Sequence, residues 1–514
     1  MASEPTRSVS HQQTIELDDT TVPERSLPAA DDPTVSQTLS RERIDSRPNI
    51  VFLMTDDQRW DTLGCYGRPD FLTPTIDQLS SEGVTFDNAH HTVAICTPSR
   101  TTIMTGQYFA QHRSGFSYPF NVSISAETYN KNSYHAVFKA AGYRSGFIGK
   151  YDIRVHGGGR TPFDFFALRD KYEKPQYDPV LEAIYRADRD PRERTLLKGD
   201  VMMHFLDTQP KEQPFILSVS FDAVKNDKDE DMFAPHVELF SEQQMSVPSN
   251  WVQGRNPLLP HMIQDYWRGA MLHPHKSSTP SRYQALARRF ATQGYSVDQQ
   301  VKRLLNKLKE IGRLNNTIII YTSDNGRFHG SHGLFGKSIL YEDVTRAPLI
   351  IWDGRNVGNT PGFRNNELVS TADFAPTMLS LAGLKIPDTM QGRNLTPLLV
   401  EGADTSGWRD AVFMESLFSN ETFMAKIKGE DVVAINNDLV ANNRSYRARG
   451  IRTKQYKYFI YYEQNPVIEE LYDIISDPGE KRNLANSNTH IKTLISLRRR
   501  TEDLHNKFKS KPQN

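Results

Sequence analysis

Apolar runs bounded by turn-forming residues recur along this chain of 514 residues, and they constrain its fold more than any other feature. The runs cover residues 50–54, 143–148, 214–221 and 317–321. Such runs are typical of buried strands in a parallel sheet. An amphipathic helix is predicted over residues 296–311, where Ser296 and Gln299 form a capping box ahead of an apolar face. Strands that alternate with helices predict an α/β protein with a mostly parallel central sheet flanked by helices.

Changes in composition and in the pattern of apolar residues divide the chain into three parts. Residues 1–47 are polar and have no apolar periodicity, so they are interpreted as a disordered leader without an apolar signal-peptide core. Residues 48–400 are predicted to form the catalytic domain. Residues 401–514 are predicted to form a smaller domain, with an antiparallel sheet over 446–462 and a terminal helix. The apolar residues expected to pack that helix on the body are Ile491, Leu494, Ile495, Leu504 and Phe508.

Charge and cysteine content exclude several classes of protein. The 62 Lys and Arg residues balance 62 Asp and Glu residues, whereas nucleic-acid binders usually carry a large positive excess. No apolar run approaches the about 18 residues that cross a bilayer, so no membrane span is predicted. The two cysteines, Cys65 and Cys96, cannot form a disulfide framework, so they do not identify a compartment.

Pairs of oxygen-bearing side chains follow two of the predicted strands. Asp56 and Asp57 follow the first apolar run, and Asp324 and Asn325 follow the last. Ligands of α/β sheets bind outside the carboxyl ends of the strands, where these pairs would meet. Their oxygen donors favour a hard cation, with Ca²⁺ as the first choice and Mg²⁺ as the second. The alternative interpretation is that each pair begins a turn, but the occurrence of both at equivalent strand ends favours a metal site.

The segment from Cys96 to Gly106 carries the sharpest motif of the chain. Pro98 suits the first turn of a helix and Gly106 suits its end, which places Cys96 at or just before a helix N-terminus. The free N–H groups of such a terminus attract anions. The alternative is that Cys96 is a small buried hydrophobic residue, which is the common role of a lone cysteine.

The residues Cys96-Thr-Pro-Ser-Arg100, followed by Thr105-Gly106, resemble the signature of the type I, formylglycine-dependent sulfatases of the alkaline-phosphatase-like superfamily. Further motifs match in the family's order, and they lie at residues 55–58, 73–74, 82–83, 149–150, 323–326, 332–337, 470–473, 477–478 and 483–484. The resemblance spans about residues 48–485. It implies a sulfuric ester hydrolase, a maturation enzyme that oxidises Cys96 to formylglycine, and a periplasmic or secreted location.

The resemblance also implies roles for individual residues. It assigns the metal site to Asp56, Asp57, Cys96, Asp324 and Asn325. Arg100 would steady the nucleophile, while Lys150 and Lys337 would act as catalytic cations that bind the sulfate. One oxygen of the modified Cys96 would attack sulfur, and loss of a proton from its second hydroxyl would expel sulfate. For the two lysines the alternative is an ordinary solvated surface charge.

Two positions depart from the family pattern. Asp152 stands where many relatives carry the histidine that deprotonates the hydrate, and a carboxylate can accept that proton. His156 is a competitor for this role and a candidate substrate-binding residue. Lys225 stands near the place of a histidine that protonates the leaving alcohol, so it is expected either to be the acid or to bind another sulfate. His236, in a later Ala-Pro-His triplet, is the other candidate acid.

The stretch over residues 223–295 resembles an insertion and bears on the substrate. Its aromatic and basic residues are expected either to line a cleft for a sulfated sugar or to pack as ordinary residues; they are Trp251, Trp267, His273, His275, Arg282 and Tyr283. The sequence therefore predicts a sulfatase that acts on a sulfated carbohydrate. Two alternatives are a formylglycine-dependent phosphodiester or phosphonate hydrolase and a sulfated-glycan binding protein that is never matured.

Overall fold

A computed structural model describes residues 46–115, 117–120, 122–168, 178–187, 194–225, 232–264 and 279–509. Residues 1–45 of the leader predicted over 1–47 lie outside the described residues. Contacts group Ile44–Asn514 into one compact unit. The division at residue 400 into a catalytic and a smaller domain stays a prediction.

The secondary structure follows the chain in this order. The strands are β1 (Asn49–Thr55), β2 (Val84–Phe86), β3 (Ala89–His90), β4 (Ile124–Ser125), β5 (Arg144–Gly149), β6 (Val155–His156), β7 (Phe165–Leu168), β8 (Phe215–Ser220), β9 (Thr317–Ser323), β10 (Arg346–Ala347), β11 (Leu349–Asp353), β12 (Phe363–Asn365), β13 (Val369–Ser370), β14 (Ala411–Ser416), β15 (Ala448–Thr453), β16 (Tyr456–Tyr461) and β17 (Ile468–Asp473). The helices are α1 (Pro74–Glu82), α2 (Cys96–Thr105), α3 (Phe109–His112), α4 (Ala126–Asn132), α5 (Tyr134–Ala140), α6 (Pro179–Arg186), α7 (Arg194–Asp207), α8 (Ala234–Phe240), α9 (His261–Gln264), α10 (Pro280–Glu310), α11 (Glu342–Thr345), α12 (Phe374–Leu381), α13 (Asn420–Lys428), α14 (Val432–Ala441) and α15 (Ile491–Lys509).

An eight-stranded sheet in the order β12-β2-β11-β9-β1-β8-β5-β7 forms the centre of the fold. Of its strands only β11 is antiparallel to its neighbours, so the sheet is mostly parallel as predicted. Each of the four apolar runs read from the sequence is a strand here, namely β1, β5, β8 and β9. These four strands lie next to one another and run the same way, so their carboxyl ends share one edge.

Strand β1 shows why the apolar runs are continuous. Val51 and Leu53 pack into the apolar cluster on one face of the sheet, while Ile50 and Phe52 pack into the cluster on the other. All four side chains are buried. Burial of each large apolar side chain contributes about 1.5–3 kcal/mol, so both faces of this strand stabilise the fold.

A four-stranded antiparallel sheet in the order β14-β15-β16-β17 confirms the prediction for the C-terminal part. The terminal helix α15 packs on it through Leu494, Leu497 and Phe508, which are buried. The prediction that Ile491 and Ile495 pack inward is wrong, since Ile495 is 55% exposed. The reason is rotational: the buried side of the helix follows residues 494, 497, 501 and 508, and position 495 points about 100° away.

Helix α10 begins much earlier than predicted. Its N-cap is Thr279, whose side chain accepts a hydrogen bond from the N–H of Arg282, and Pro280 occupies its first turn. The predicted capping box at Ser296 is therefore wrong, because Ser296 lies in the helix interior and donates to the carbonyl of Thr292 at 3.0 Å. The buried face of the helix already begins at Tyr283, so the packing that stabilises the helix extends well before Ser296. Among the described helices, none is both long and apolar enough to cross a membrane.

Candidate active site

The ends of β1 and β9 bring the predicted metal ligands together. Thr55 and Ser323 are partners in the parallel register, so the residues that follow them leave the sheet at the same place. Asp57 has φ of 62°, a left-handed conformation that aspartate tolerates better than most residues. Its N–H donates to Asp324 Oδ1 at 3.0 Å. The two strand ends are thereby locked to each other.

Four buried residues lie together at this edge of the sheet, and we call them the acidic cluster: Asp56, Asp57, Cys96 and Asp324. Each offers one ligand atom, and these atoms lie within 4.8 Å of one another. The thiol of Cys96, the first residue of α2, donates to Asp56 Oδ1 across 3.6 Å. Asn325 joins the cluster through Nδ2, which donates to Asp57 Oδ1 at 2.7 Å.

Arg100 ties three strand ends to the acidic cluster. It lies one helical turn after Cys96, and its Nε donates to Asp324 Oδ2 at 2.8 Å. Its Nη1 donates to the carbonyl of Lys150, after β5, at 2.5 Å and to Ser220 Oγ, in β8, at 2.6 Å. A planar guanidinium can satisfy these partners together, so Arg100 fixes the relative positions of β5, β8 and β9.

Three lysines surround the acidic cluster. Lys150 Nζ lies 2.5 Å from Asp56 Oδ2, and Lys225 Nζ lies 3.4 Å from the same oxygen. Lys337 Nζ contacts the carboxylate of Asp57 and lies 2.7 Å from Cys96 Sγ. These are the lysines expected from the sequence, and the fold brings all three to one place.

Burial and charge act against each other in the acidic cluster. Burial alone would raise the pKa of Asp56, but Lys150, Lys225 and Lys337 hold it well below its ordinary value. Burial and the neighbouring Asp56 raise the pKa of Asp324. Burial also raises the pKa of the Cys96 thiol, even beside the two lysines. Cys96 is therefore not an activated thiolate, because reactive cysteines have a lowered pKa.

The two candidate proton acceptors, Asp152 and His156, have different neighbours. Asp152 has φ of 49°, its side chain is 46% exposed, and its Oδ2 lies 3.2 Å from Lys150 Nζ. Burial would raise the pKa of Asp152, but Lys150 and Arg100 lower it. His156 is exposed in β6, where it pairs with Ser125.

The Ala-Pro-His triplet, residues 234–236, forms the first turn of α8. His236 Nδ1 and Ser296 Oγ are 2.6 Å apart, which ties α8 to α10. The structure thus brings Asp152 beside Lys150, whereas His156 and His236 are not among the residues that line the cavity around Cys96.

A cavity of about 540 Å³ opens at the acidic cluster. It is lined by Asp57, Ile95, Cys96, Thr97, Asp152, Ile153, Arg154, Lys225, Arg327, Gly336, Lys337, Ser338, Phe418, Asn420 and Phe423. Sequence reasoning missed Arg327, whose Nη1 donates to Asp57 Oδ2 at 3.1 Å and to the carbonyl of Lys225 at 2.6 Å. Its position directly after the motif at residues 323–326 was the available signal.

Phe418, Asn420 and Phe423 were also missed. They lie after β14 and in the first turns of α13, more than 300 residues after Cys96 in the chain. No local pattern marks them, because their approach to the cavity depends on how the C-terminal sheet packs.

Of the aromatic residues named in the stretch over 223–295, the two that the structure describes, Trp251 and Tyr283, do not line the cavity around Cys96. Tyr283 is buried in α10 and its hydroxyl donates to the carbonyl of Ser246 at 2.7 Å. Trp251 packs on the apolar core and contacts Tyr283 edge-on, with ring centroids 6.4 Å apart. Arg282 is exposed on the same helix. Trp267, His273 and His275 lie outside the described residues.

Comparisons with known proteins identify the family of this chain. A family model described as Sulfatase matches residues 48–384. An N-acetylglucosamine-6-O-sulfatase of Bacteroides thetaiotaomicron is 28% identical over 528 positions, which cover 90% of this chain and 87% of that protein.

Solved structures give the same family of folds. One, of a protein in complex with its substrate D-glucosamine-2-N,6-O-disulfate, is 25% identical with a TM-score of 0.68, covering 90% of this chain and 98% of the other. A phosphonate monoester hydrolase of Agrobacterium radiobacter shares the fold at 22% identity and a TM-score of 0.66, covering 90% of this chain and 96% of the other. The family model matches more than half of the chain, and the matched range includes the acidic cluster. The chain therefore belongs to the type I sulfatase family and is a sulfuric ester hydrolase.

Proposed function

We propose that the protein hydrolyses sulfate esters of a carbohydrate through a formylglycine made from Cys96 by a maturation enzyme, with Ca²⁺ held beside it. The position of Cys96 carries the proposal. Its Sγ lies 3.6 Å from Asp56 Oδ1 and 2.7 Å from Lys337 Nζ, in the wall of the 540 Å³ cavity. A nucleophile made from this side chain would therefore face carboxylates on one side and an ammonium on the other.

The acidic cluster and Asn325 suit a hard divalent cation. Three carboxylates and one amide oxygen are donors that Ca²⁺ prefers, and Mg²⁺ is the second choice. The ammonium of Lys337 contacts Asp57 and lies 3.2 Å from Asn325 Oδ1, so these donors attract positive charge. Asp56, Asp57, Asp324 and Asn325 would hold the ion, which when bound stabilises negative charge on the sulfate oxygens.

The protonation state of Cys96 favours a modified side chain as nucleophile. Because burial raises the pKa of the thiol, the unmodified residue stays protonated at neutral pH. The hydrated aldehyde supplies two hydroxyls on one carbon, of which one attacks sulfur and the other loses a proton to expel sulfate. We assign that proton to the carboxylate of Asp152, which lines the cavity together with Cys96 and lies 3.2 Å from Lys150 Nζ.

The cations around the cavity would bind the ester. Lys150 and Lys337 approach the acidic cluster from two sides, and Arg100 keeps their supporting strand ends in place. Lys225 lines the cavity beside them, and we assign it the protonation of the leaving oxygen. A sugar alcohol is a poor leaving group without a proton, so this role matters most for a carbohydrate ester.

The wall formed by Phe418, Asn420 and Phe423 supports a carbohydrate substrate. Aromatic faces pack against the apolar faces of sugar rings, and a side-chain amide can bond to their hydroxyls. The curated relative reported above is named as an N-acetylglucosamine-6-O-sulfatase, and one of the similar solved structures holds a glucosamine disulfate. A sulfated sugar or oligosaccharide is therefore the substrate class we propose.

Mass spectrometry and sulfate release test this function together. In native material the peptide containing Cys96 should be about 18 Da lighter than the thiol form, from loss of sulfur and two hydrogens and gain of oxygen. Sulfate release from a panel of sulfated sugars should vanish in Cys96→Ala and on chelation, and Ca²⁺ should restore the wild type. An unconverted Cys96 with release no greater than that of Cys96→Ala would favour the glycan-binding alternative.

Substitution of Lys225 separates carbohydrate from activated esters. Lys225→Ala should lower kcat about 100-fold on a sulfated sugar but much less on nitrophenyl sulfate, whose leaving group needs no proton. Equal losses on both would assign Lys225 to binding instead. Phosphate or phosphonate release from matched esters, measured on the same samples, tests the hydrolase alternative that shares this fold.

A further inference from the structure

A second cavity, of about 780 Å³, adjoins the one around Cys96. Its lining includes Lys150, Tyr151, Arg160, Phe166 and the glycines at positions 157–159. Asp152, Ile153 and Lys225 line both cavities, so the two meet at the residues that flank the acidic cluster. A substrate bound at Cys96 can therefore continue into the second cavity.

The wall of the second cavity is a tightly packed loop between β6 and β7. Gly157 and Gly158 have φ of 87° and 102°, a left-handed conformation that favours glycine. A Cβ at Gly159 would come within 2.7 Å of Val155, which shows how closely the loop packs. The Tyr151 hydroxyl donates to the carbonyl of Gly159 at 3.1 Å and anchors the loop to the end of β5.

The basic side chains that line the second cavity, Lys150, Lys225 and Arg160, contact different groups. Lys150 and Lys225 lie within 3.4 Å of Asp56, so their charge serves the acidic cluster. The guanidinium of Arg160, which also lines the second cavity, lies 5.9 Å from the ring centroid of Phe166. Phe166 lies in β7, which is the edge strand next to β5. Arg160 therefore lies beside the edge strand β7, whereas Lys150 follows β5, the next strand in the sheet.

We propose that the second cavity binds the neighbouring sugar of a sulfated glycan and that Arg160 binds an anionic group, a sulfate or a carboxylate, on that sugar. The proposal rests on the carbohydrate substrate proposed above. A cavity of this volume is within the range of ligand sites, about 300–1,000 Å³, and is additional to the one that accepts the ester. A guanidinium offers paired donors that match both anionic groups, and Tyr151 and Phe166 add aromatic surface for the ring.

The test compares substrates that differ only in the neighbouring sugar. One sulfated monosaccharide and three disaccharides are used, in which the second sugar is neutral, carboxylated or sulfated. The readout is the ratio of KM for each disaccharide to KM for the monosaccharide, in wild type, Arg160→Gln, Arg160→Lys and the matched control Arg499→Gln. Arg499 is exposed on α15.

We expect Arg160→Gln to raise this ratio about tenfold for an acidic second sugar and to leave it unchanged for the neutral one, which is the effect of one charge-assisted pair. Arg160→Lys should restore part of the loss, and Arg499→Gln should match the wild type. The acidic disaccharide that responds identifies the anion. The proposal is overturned if Arg160→Gln leaves the KM ratio unchanged for both acidic disaccharides. It is also overturned if Arg160→Gln changes the KM ratio of the neutral disaccharide as much as that of the acidic ones.

Calorimetric binding of the same disaccharides to Cys96→Ala separates the two proposals. Binding that depends on Arg160, without sulfate release by the wild type, would support the second cavity and contradict the proposed function. Sulfate release from the monosaccharide with no Arg160-dependent binding of any disaccharide would contradict the second cavity alone.

Discussion

Arg100 shows how one side chain can hold a whole site in place. Its guanidinium bonds to a carboxylate, a carbonyl and a hydroxyl on three different strand ends, and it is buried. Burial would lower the pKa of Arg100, yet Asp324 and Asp56 raise it, so the charge is permanent. A lysine would keep the charge and lose the geometry.

We therefore expect Arg100→Lys to lower kcat/KM for sulfate release about 100-fold, since small displacements of reacting groups have effects of this size. Initial rates over a range of substrate concentrations measure it. Arg355→Lys is the matched control, because Arg355 also binds a carboxylate, Asp353, at the end of β11. Rates within twofold of the wild type for both variants would show that Arg100 does not position the site.

Asp152 offers a test based on pH. Lys150 lowers the pKa of Asp152 in spite of burial, so this carboxylate is ionised throughout the neutral range. Asp152→His should introduce a loss of kcat as the pH falls toward and below about 6.5, because a protonated imidazole cannot accept a proton. Profiles of kcat from pH 5 to 8 show the difference. Superimposable profiles for wild type and variant would exclude Asp152 as the acceptor.

At the scale of elements, helix α1 receives its N-terminal cap from another helix. Thr73 precedes the helix but makes no side-chain cap bond. Asp298, in α10, accepts instead from the N–H groups of Thr75 and Ile76, both at 2.8 Å. Burial raises the pKa of Asp298 to about 6, even with these hydrogen bonds.

Stability should therefore depend on pH through Asp298. A carboxyl whose pKa is raised by folding favours the folded state below its unfolded pKa, about 3.9, and loses that contribution as the pH rises through about 6. Asp298→Asn keeps an acceptor oxygen without a charge. Relative to wild type, it should gain up to about 3 kcal/mol in free energy of unfolding between pH 4 and 7.

Chemical denaturation at several pH values measures this difference. Asp298→Ala is the companion variant, since it removes the acceptor and should lose about 1 kcal/mol through the missing cap. A difference between wild type and Asp298→Asn that is constant with pH would contradict the raised pKa.

At the scale of the whole molecule, a buried ionic network joins the two large sheets. Glu342, at the start of α11, accepts from Lys457 Nζ at 2.9 Å and from Arg452 Nε at 3.2 Å, both from the antiparallel sheet. The next residue, Asp343, pairs with Arg59 at 2.8 Å, just after the end of β1. Burial would raise the pKa of Glu342, but Lys457 and Arg452 hold it well below its ordinary value.

Loss of one partner from this network should be costly. Lys457→Met should lower the free energy of unfolding by about 3–5 kcal/mol, because a buried carboxylate loses its ammonium. Lys454→Met is the matched control, since Lys454 is 59% exposed and pairs with Glu367, so its effect should stay below about 1 kcal/mol. Urea denaturation measures both. Equal effects would show that the network does not stabilise the junction.

The sequence alone predicted the centre of this protein. Apolar runs identified β1, β5, β8 and β9, because a strand buried on both faces leaves a continuous local signal. The residues directly after those strands could be placed together because parallel strands end at one edge. That rule, together with the family motifs, predicts that Asp56, Cys96, Lys150 and Asp324 lie at one edge of the sheet.

Other features were decided only by tertiary structure. Phe418 and Phe423 reach the cavity because the C-terminal sheet packs beside it, and Asp298 caps a helix more than 220 residues away. The predicted start of α10 at Ser296 is wrong because a Ser-x-x-Gln pattern also occurs inside helices, and the helix begins after Thr279. Local periodicity records which face of an element is buried, whereas contacts between distant segments depend on the packing of the whole chain.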